Sequence, residues 1–235
     1  MRKVDGDTPA LAAVDLGIQP YPETLSLQKR LVEAKRGEVC DDFLLLVQHP
    51  DVVTMGTSAT ERDRRAAARL QKDGFDVVQI RRGGRLTCHT PGQIVGYPII
   101  ALQGPERDLH EYIRRVEESI VAALYALEIV ATTTKDRTGV WVDDRKVCSI
   151  GIAVRWWITY HGFALNVSND MQVFEHFSPC GMTREDMASL HELGYEVQMA
   201  DIVQNLAAAF AGIFARQGNF LNQEELSALL ENQNI

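Results

Sequence analysis

Residues 139–166, GVWVDDRKVCSIGIAVRWWITYHGFALN, decide the predicted fold of this 235-residue chain. The segment is rich in Val, Ile and Trp, which favour β-strands, and the pair Asp143-Asp144 favours a turn. We therefore predict strands at residues 139–142, 146–155 and 159–166, with another strand before them at residues 129–134.

The rest of the chain alternates between short apolar runs and helical spacing. Further strands are predicted at residues 11–16, 43–47, 75–81 and 95–101, and helices at residues 22–35, 62–72, 107–127 and 199–216. This order predicts the α/β (α+β) class, with one domain in which a mixed β-sheet is flanked by helices. We expect the core to span about residues 12–216, and we interpret residues 217–235 as a peripheral C-terminal tail.

The composition favours a cytoplasmic enzyme. The net charge of −8 argues against a nucleic-acid-binding protein. No apolar stretch approaches the roughly 20 residues that cross a bilayer, and the first residues do not resemble a secretory signal. The cysteines at positions 40, 88, 148 and 180 form no C-x-x-C pair, so we expect neither a metal site nor a disulfide framework.

One basic region interrupts this acidic sequence. Between Arg62 and Arg85 lie eight basic and three acidic residues, a local charge of +5, which leaves −13 for the rest of the chain. Such a region could bind an acidic macromolecule or a phosphate. A solvated helix face followed by a loop explains the same charges, and the sequence leaves both interpretations open.

Cys180 stands between Pro179 and Gly181, a setting that can present a side chain at a fixed place. Thr183 and Asp186 are spaced as in a helix N-terminal cap, and the positive end of a helix favours a thiolate. Lys146, in a predicted strand, could act as a base or stabilise that thiolate. The alternatives are that Cys180 is an ordinary loop thiol and that Lys146 faces the solvent.

A second group of candidates consists of small residues that would let a ligand approach the backbone. Gly83 and Gly84 leave main-chain N–H groups accessible, and Gly162 with Ala164 makes one face of a strand small. His89 could donate a hydrogen bond to a substrate. The alternatives are that Gly83 and Gly84 form a plain turn, that Gly162 and Ala164 allow a close packing contact, and that His89 is a structural histidine.

Four motifs together resemble the LipB family of lipoyl(octanoyl) transferases. They are RGGRLTCHTPGQIVGYP at residues 82–98, GVWVDDRKVCSIG at 139–151, HGFALNV at 161–167 and PCG at 179–181. The match covers about residues 12–216. The resemblance implies the fold of the catalytic domains of biotin and lipoate protein ligases, and no cofactor.

The resemblance also implies an activity and its residues. Octanoyl would pass from octanoyl-acyl carrier protein to a lysine of the lipoyl domains of 2-oxoacid dehydrogenases or of the glycine-cleavage H protein. The acyl group would be carried on Cys180, activated by Lys146. The implied substrate-binding residues are Arg82, Gly83, Gly84, Arg85, Leu86, Thr87, Cys88, His89, Ser149, Ile150, Gly151, Gly162, Phe163 and Ala164.

Two positions depart from the family pattern: Cys88 stands where Tyr is usual, and Thr90 where Gly is usual. Both flank His89, so they bear on the shape of the pocket and on its chain-length preference. Three other functions stay open on the sequence alone. They are an ATP-dependent lipoate or biotin ligase, a thiol amidotransferase between lipoyl domains, and a non-catalytic acyl- or carrier-binding module.

Overall fold

The computed structural model describes residues 9–37, 40–175 and 183–232 of the chain. The strands in this part are β1 (Ala10–Ile18), β2 (Asp42–Gln48), β3 (Val52–Met55), β4 (Asp76–Gln79), β5 (Leu86–His89), β6 (Gln93–Ile99), β7 (Val140–Val142), β8 (Arg145–Arg155), β9 (Ile158–Asn166) and β10 (Gln217–Leu221). The α-helices are α1 (Tyr21–Arg36), α2 (Glu61–Lys72), α3 (Leu109–Tyr125), α4 (Met199–Ile213) and α5 (Gln223–Asn232).

The main sheet has seven strands in the order β10-β1-β2-β6-β9-β8-β7. Strand β1 pairs in parallel with β10 and β2, and the other pairs are antiparallel. A smaller sheet, β4-β3-β5, packs beside α2. The prediction of a mixed sheet flanked by helices is confirmed.

Helices cover both faces of the main sheet, and the central strand β2 shows why. Its residues Phe43, Leu45 and Val47 join the core beneath α1 and α5, while Leu44 and Leu46 join the core beneath α3 and α4. Successive side chains of a strand point to opposite faces, so an unbroken apolar run predicts burial on both sides. No helix in the described ranges combines the length and apolar character that crossing a membrane requires.

Three details differ from the prediction. Residues 129–134 form no strand, and only Thr132 makes an isolated bridge, to Trp141. The short strands β3 and β5 were not predicted. Residues 217–232 are not a peripheral tail, because β10 extends the sheet beside β1 and Leu226 and Leu230 of α5 are buried in the core. Strand β10 lacks the apolar alternation that identifies a strand, because it lies at the edge of the sheet and is mostly exposed.

Candidate active site

A cavity of about 260 Å³ lies where β5 and the loop at residues 82–84 approach β6, β8 and β9. It brings together thirteen of the fourteen predicted substrate-binding residues, together with Lys146. The thirteen are Arg82, Gly83, Gly84, Leu86, Thr87, Cys88, His89, Ser149, Ile150, Gly151, Gly162, Phe163 and Ala164. Arg85 instead pairs with Asp63 of α2 at 2.8 Å.

The loop at residues 82–84 is fixed by the buried side chain of Arg82. Its guanidinium donates to the carbonyl oxygen and the hydroxyl of Thr54, both at 3.0 Å, and to the carbonyl oxygen of Gly83 at 2.9 Å. The N–H of Gly83 donates to the carbonyl oxygen of Ile152 at 3.1 Å. This N–H is therefore engaged in the fold, and the loop is held against both β3 and β8.

The small residues of β9 permit a close approach between strands. A Cβ atom on Gly162 would lie 2.1 Å from the carbonyl oxygen of Gly96 in β6, a distance that real Cβ atoms do not show. Gly162 pairs with Gly151 of β8, and both line the cavity. Close packing against β6 is therefore one reason for a glycine at position 162.

A cluster of buried aromatic and imidazole rings adjoins the cavity. His89 Nδ1 lies 2.7 Å from Gln93 Oε1, and His49 Nε2 lies 2.8 Å from Tyr97 Oη. Burial lowers the pKa of His49 to about 4 and that of His89 to about 3. Burial, together with the nearby charges of Arg82 and Lys29, likewise lowers the pKa of His161 to about 3. These imidazoles are neutral at pH 7 and serve as hydrogen-bonding groups rather than charges.

Several residues of this site were missing from the predicted set. They are Tyr21, Gln93, Tyr97, His161 and Asn166, all lining the cavity, and His49 behind them. Most of them lie within the motifs that carry the family resemblance. For the four that lie in β6 and β9, the signal was a polar side chain inside an apolar strand, since a buried polar group requires a partner.

Lys146 faces the cavity from β8, with 7% of its surface exposed. Its Nζ donates to the carbonyl oxygen of Thr138 at 2.8 Å and lies 5.2 Å from the centre of the Trp141 ring. Its main chain pairs with a later segment: the N–H of Lys146 donates to Asp186 O at 2.8 Å, and the N–H of Ala188 donates to Lys146 O at 3.1 Å. Lys146 is thus held in place at both its backbone and its side chain.

Cys180 lies outside the described residues. After it, the N–H and hydroxyl of Thr183 donate to the carboxylate of Asp186 at 2.7 and 3.0 Å, as in a helix cap. Residues 183–190 nevertheless form turns and a bridge to Lys146 rather than a helix. The predicted helix beginning at Thr183 is therefore wrong, because the main chain of this segment bonds to β8 instead.

The described cysteines are poor candidates for a nucleophile. Burial raises the pKa of Cys40, Cys88 and Cys148 above the ordinary thiol value. A thiol kept protonated in this way reacts slowly, because the thiolate is the nucleophile.

Helix α2 carries most of the basic region on its exposed side. Its apolar face, formed by Ala66, Ala67 and Leu70, packs into the small core beside β3 and β5. The opposite face exposes five basic side chains: Arg62, Arg64, Arg65, Arg69 and Lys72. The pair between Arg85 and Asp63 connects this helix to the residue just before β5, the strand that borders the cavity.

The fold and the cavity define a class of proteins, the catalytic domains of lipoyl protein ligases. The lipoyl protein ligase A/B catalytic domain model matches residues 20–211. The chain also resembles the solved structure of lipoate-protein ligase A bound with ATP, with a TM-score of 0.69 and 15% identity over 97% of this chain and 94% of that one. A biotin protein ligase from Leishmania major shares the fold more distantly, with a TM-score of 0.52 and 11% identity over 96% and 80% of the two chains.

Sequence relatives that match most of the chain narrow the class. The octanoyltransferase of Caldanaerobacter subterraneus subsp. tengcongensis is 37% identical over 200 residues, 85% of this chain and 88% of the relative. That of Syntrophotalea carbinolica is 39% identical over 85% of this chain and 92% of the relative. The chain therefore belongs to the lipoyl protein ligase A/B catalytic-domain family and, within it, to the octanoyltransferases.

Proposed function

We propose that the chain transfers an octanoyl group from octanoyl-acyl carrier protein to a lysine of lipoyl domains, through a thioester on Cys180. The reaction would take place in the cytoplasm. The observation that carries the proposal is the position of Lys146, which faces the cavity while its main chain bonds to Asp186 and Ala188. Asp186 follows Cys180 by six positions in the sequence, so a short segment links the nucleophile to the strand of Lys146.

In the resting enzyme Lys146 has accepted the proton of the Cys180 thiol and is an ammonium. In the first half-reaction the Cys180 thiolate attacks the carbonyl carbon of the donor thioester. The carbon–sulfur bond to the carrier breaks, and the departing thiolate takes the proton from the Lys146 ammonium. The products are an octanoyl thioester on Cys180, a free carrier thiol and a neutral Lys146. This is covalent catalysis with ping-pong kinetics.

In the second half-reaction the neutral amine of the acceptor lysine attacks the thioester on Cys180. The new carbon–nitrogen bond forms, the Cys180 thiolate leaves, and Lys146 takes the proton that the amide nitrogen loses. The thiolate and ammonium of the resting enzyme are thereby restored. Because the donor thioester is already activated, the two half-reactions need neither ATP nor a metal.

The exposed basic face of α2 supports an acidic protein as the donor. The helix packs beside β5, the strand that borders the cavity, so a carrier bound to its exposed face would lie close to the cavity that Lys146 faces. For the acceptor, support comes from a structural relative. The bi-partite lipoate protein ligase of Thermoplasma acidophilum, solved in a study with its E2 lipoyl domain, matches this chain with a TM-score of 0.71 and 16% identity. We propose lipoyl domains, including the glycine-cleavage H protein, as acceptors here.

Mass spectrometry of the protein incubated with octanoyl-acyl carrier protein tests the intermediate. A covalent intermediate predicts an adduct of about 126 Da, the mass an octanoyl group adds to a thiol. The adduct should map to Cys180, be absent from Cys180→Ala and form much more slowly in Lys146→Met. Cys40→Ala is the matched control, because its thiol does not line the cavity, and it should form the adduct at the normal rate. Transfer by Cys180→Ala at the normal rate would refute the proposal.

The donor distinguishes this function from its nearest alternatives. Free octanoate with ATP should give no octanoylated lipoyl domain, whereas a ligase requires them. An octanoylated lipoyl domain offered as donor should be used poorly relative to the carrier thioester. Efficient use of that amide donor would instead identify a thiol amidotransferase.

A further inference from the structure

One peptide group in the site is held at both ends by side chains of opposite charge. The carbonyl oxygen of Thr138 accepts a hydrogen bond from Lys146 Nζ at 2.8 Å. The N–H of Gly139, which belongs to the same peptide group, donates to Glu117 Oε1 at 2.8 Å. The carboxylate of Glu117 is thus linked to the ammonium of Lys146 through a single peptide.

Both charged groups are buried. Glu117 lies on α3 with 8% of its surface exposed, and Lys146 is exposed to 7%. Burial raises the pKa of Glu117, whereas the N–H of Gly139 and the charge of Lys146 act in the opposite direction. Hydrogen bonds to charged groups in such surroundings are stronger than those between neutral groups.

The peptide dipole is aligned with both charges, because its N–H end faces the carboxylate and its C=O end faces the ammonium. Each charge therefore strengthens the hydrogen bond made by the other. Two consequences follow for Lys146: its side chain is restrained in one position, and its protonated form is favoured. A positioned ammonium is the form that stabilises a nearby thiolate.

We propose that Glu117 is a positioning residue of the acyl-transfer centre, fixing through the 138–139 peptide the place and the charge of Lys146. The proposal rests on the proposed function, in which Lys146 exchanges a proton with Cys180. It adds a third residue to that pair, on a helix that the sequence motifs do not include. Glu117 acts through Lys146 and not on the substrate.

Other charged or titratable groups lie near this arrangement. Glu118 lies next to Glu117 on α3, the guanidinium of Arg137 lies 5.4 Å from the Trp141 ring centre, and the buried thiol of Cys148 lies near both Lys146 and Glu117. Cys148 stays protonated because burial raises its pKa. These groups are the same in the wild type and in Glu117→Gln, so a difference between the two proteins reports on the carboxylate of Glu117.

The test compares Glu117→Gln with Glu118→Gln, the same chemical change one residue along the helix and on its more exposed side. The glutamine at position 117 keeps an oxygen for the Gly139 N–H but removes the negative charge. The basic limb of the pH profile of kcat should move to lower pH, because the Lys146 ammonium loses a stabilising charge. With a shift of about one pH unit, kcat on that limb falls about tenfold, and KM for the octanoyl carrier stays unchanged. Glu118→Gln should keep the normal profile.

A double variant separates positioning from general damage. In a Lys146→Met background, Glu117→Gln should cause no further loss in the single-turnover rate of Cys180 octanoylation, because its effect is transmitted by Lys146. Should the Gln variant not fold, Glu117→Asp, which keeps the charge but shortens the side chain, tests the positioning of Lys146 and should lower kcat without changing KM.

The inference presupposes that Cys180→Ala is inactive and that Lys146→Met is much slower than the wild type. It is then overturned by a normal kcat and pH profile in Glu117→Gln, or by a normal kcat in Glu117→Asp where that variant is used. An equal loss caused by Glu117→Gln in the wild-type and Lys146→Met backgrounds overturns it as well. Normal activity of Cys180→Ala would instead refute the proposed function itself, so the two failures are distinguishable.

Discussion

The side chain of Lys146 occupies the space directly beside the α-carbon of Gly139. A Cβ atom on Gly139 would lie 2.4 Å from Lys146 Cε and 3.0 Å from its Nζ. Gly139 also has a φ of +143°, which L side chains rarely adopt. The residue before β7 is therefore glycine for two reasons, a backbone requirement and the volume needed by the lysine.

Substituting Gly139 by Ala should displace Lys146 and lower kcat by at least about tenfold, because a misplacement of about 1 Å can cost a hundredfold in rate. Steady-state octanoyl transfer at saturating donor measures the effect. Gly74→Ala is the control, since Gly74 also has a positive φ, +98°, but a Cβ atom added there would meet no other atom within 4 Å among the described residues. It should lose stability through backbone strain and keep a normal kcat. An equal fall in kcat in both variants would show that strain alone lowers the rate.

Thr90, one of the two departures from the family pattern, should be a site where stability can be gained. Its Oγ1 is buried and has no hydrogen-bond partner among the described residues. A buried unsatisfied hydroxyl costs about 1–3 kcal/mol, so Thr90→Val should raise the free energy of unfolding by about 1 kcal/mol. Urea denaturation measures this change.

Thr159→Val provides the contrast to Thr90→Val. The Thr159 hydroxyl donates to Pro98 O at 2.7 Å and accepts from the N–H of Ile100 at 3.0 Å. The same substitution therefore leaves two buried groups unpaired and should lower the free energy of unfolding by about 1–3 kcal/mol. If both substitutions changed the free energy of unfolding by the same amount and in the same direction, hydrogen bonding of the hydroxyl would not be the cause of the effect.

The part of the site that motifs could identify lies on adjacent strands. The residues around Gly151 and Gly162 are predictable because the β8–β9 hairpin brings them together within a short stretch of sequence. Glu117 was not identified, because its partner Gly139 is 22 positions away, in the bend before β7. A clue was nevertheless present: Glu117 lies four positions after Ile113 and three before Ile120, on the buried face of a helix. A carboxylate on such a face requires a partner.

The edge strand β10 and the segment at residues 183–190 were the least predictable parts of the fold. The sequence of β10, QGNFL, has one buried residue, Leu221, and its position is fixed by pairing with β1 at the other end of the chain. Residues 183–190 show the opposite error, because a local cap pattern at Thr183 predicts a helix that pairing with β8 prevents. In both cases a contact distant in sequence outweighs the local pattern.

Acid should destabilise the protein through its buried histidines. Burial lowers the pKa of His49 to about 4 and that of His89 to about 3, whereas a histidine in the unfolded chain has a pKa of about 6.5. Below that pH the unfolded chain binds protons that the folded chain does not bind. The free energy of unfolding should therefore be unaffected by these groups above about pH 7 and should fall from about pH 6.5 towards pH 4, by up to about 1.4 kcal/mol per pH unit for each histidine.

Urea denaturation at several pH values tests this window. His49→Gln should reduce the slope between about pH 6.5 and 4, and His110→Gln, at an exposed position on α3, should not. Asp63 contributes at lower pH. Burial raises its pKa, but hydrogen bonds from Arg85 and Thr60 outweigh this and hold it below the usual value of 3.8. Asp63→Asn should therefore change the slope only below about pH 4. An unchanged slope in His49→Gln would show that His49 is not a source of the acid sensitivity.

The basic face of α2 should set the affinity for the donor without affecting the chemical step. Arg65 and Arg69 are exposed one helical turn apart, so Arg65→Glu together with Arg69→Glu would place two repulsive charges opposite an acidic carrier. We expect KM for the octanoyl carrier to rise about tenfold at low ionic strength, with kcat unchanged because Lys146 is untouched. The rise should shrink as salt screens the charges. Arg36→Glu, at the exposed end of α1, changes the net charge in the same direction at another surface. The control would contradict the prediction if Arg36→Glu raised KM as much, for each residue changed, as the double variant of α2. The rise in KM would then follow from the net charge of the protein, and α2 would not be the docking surface.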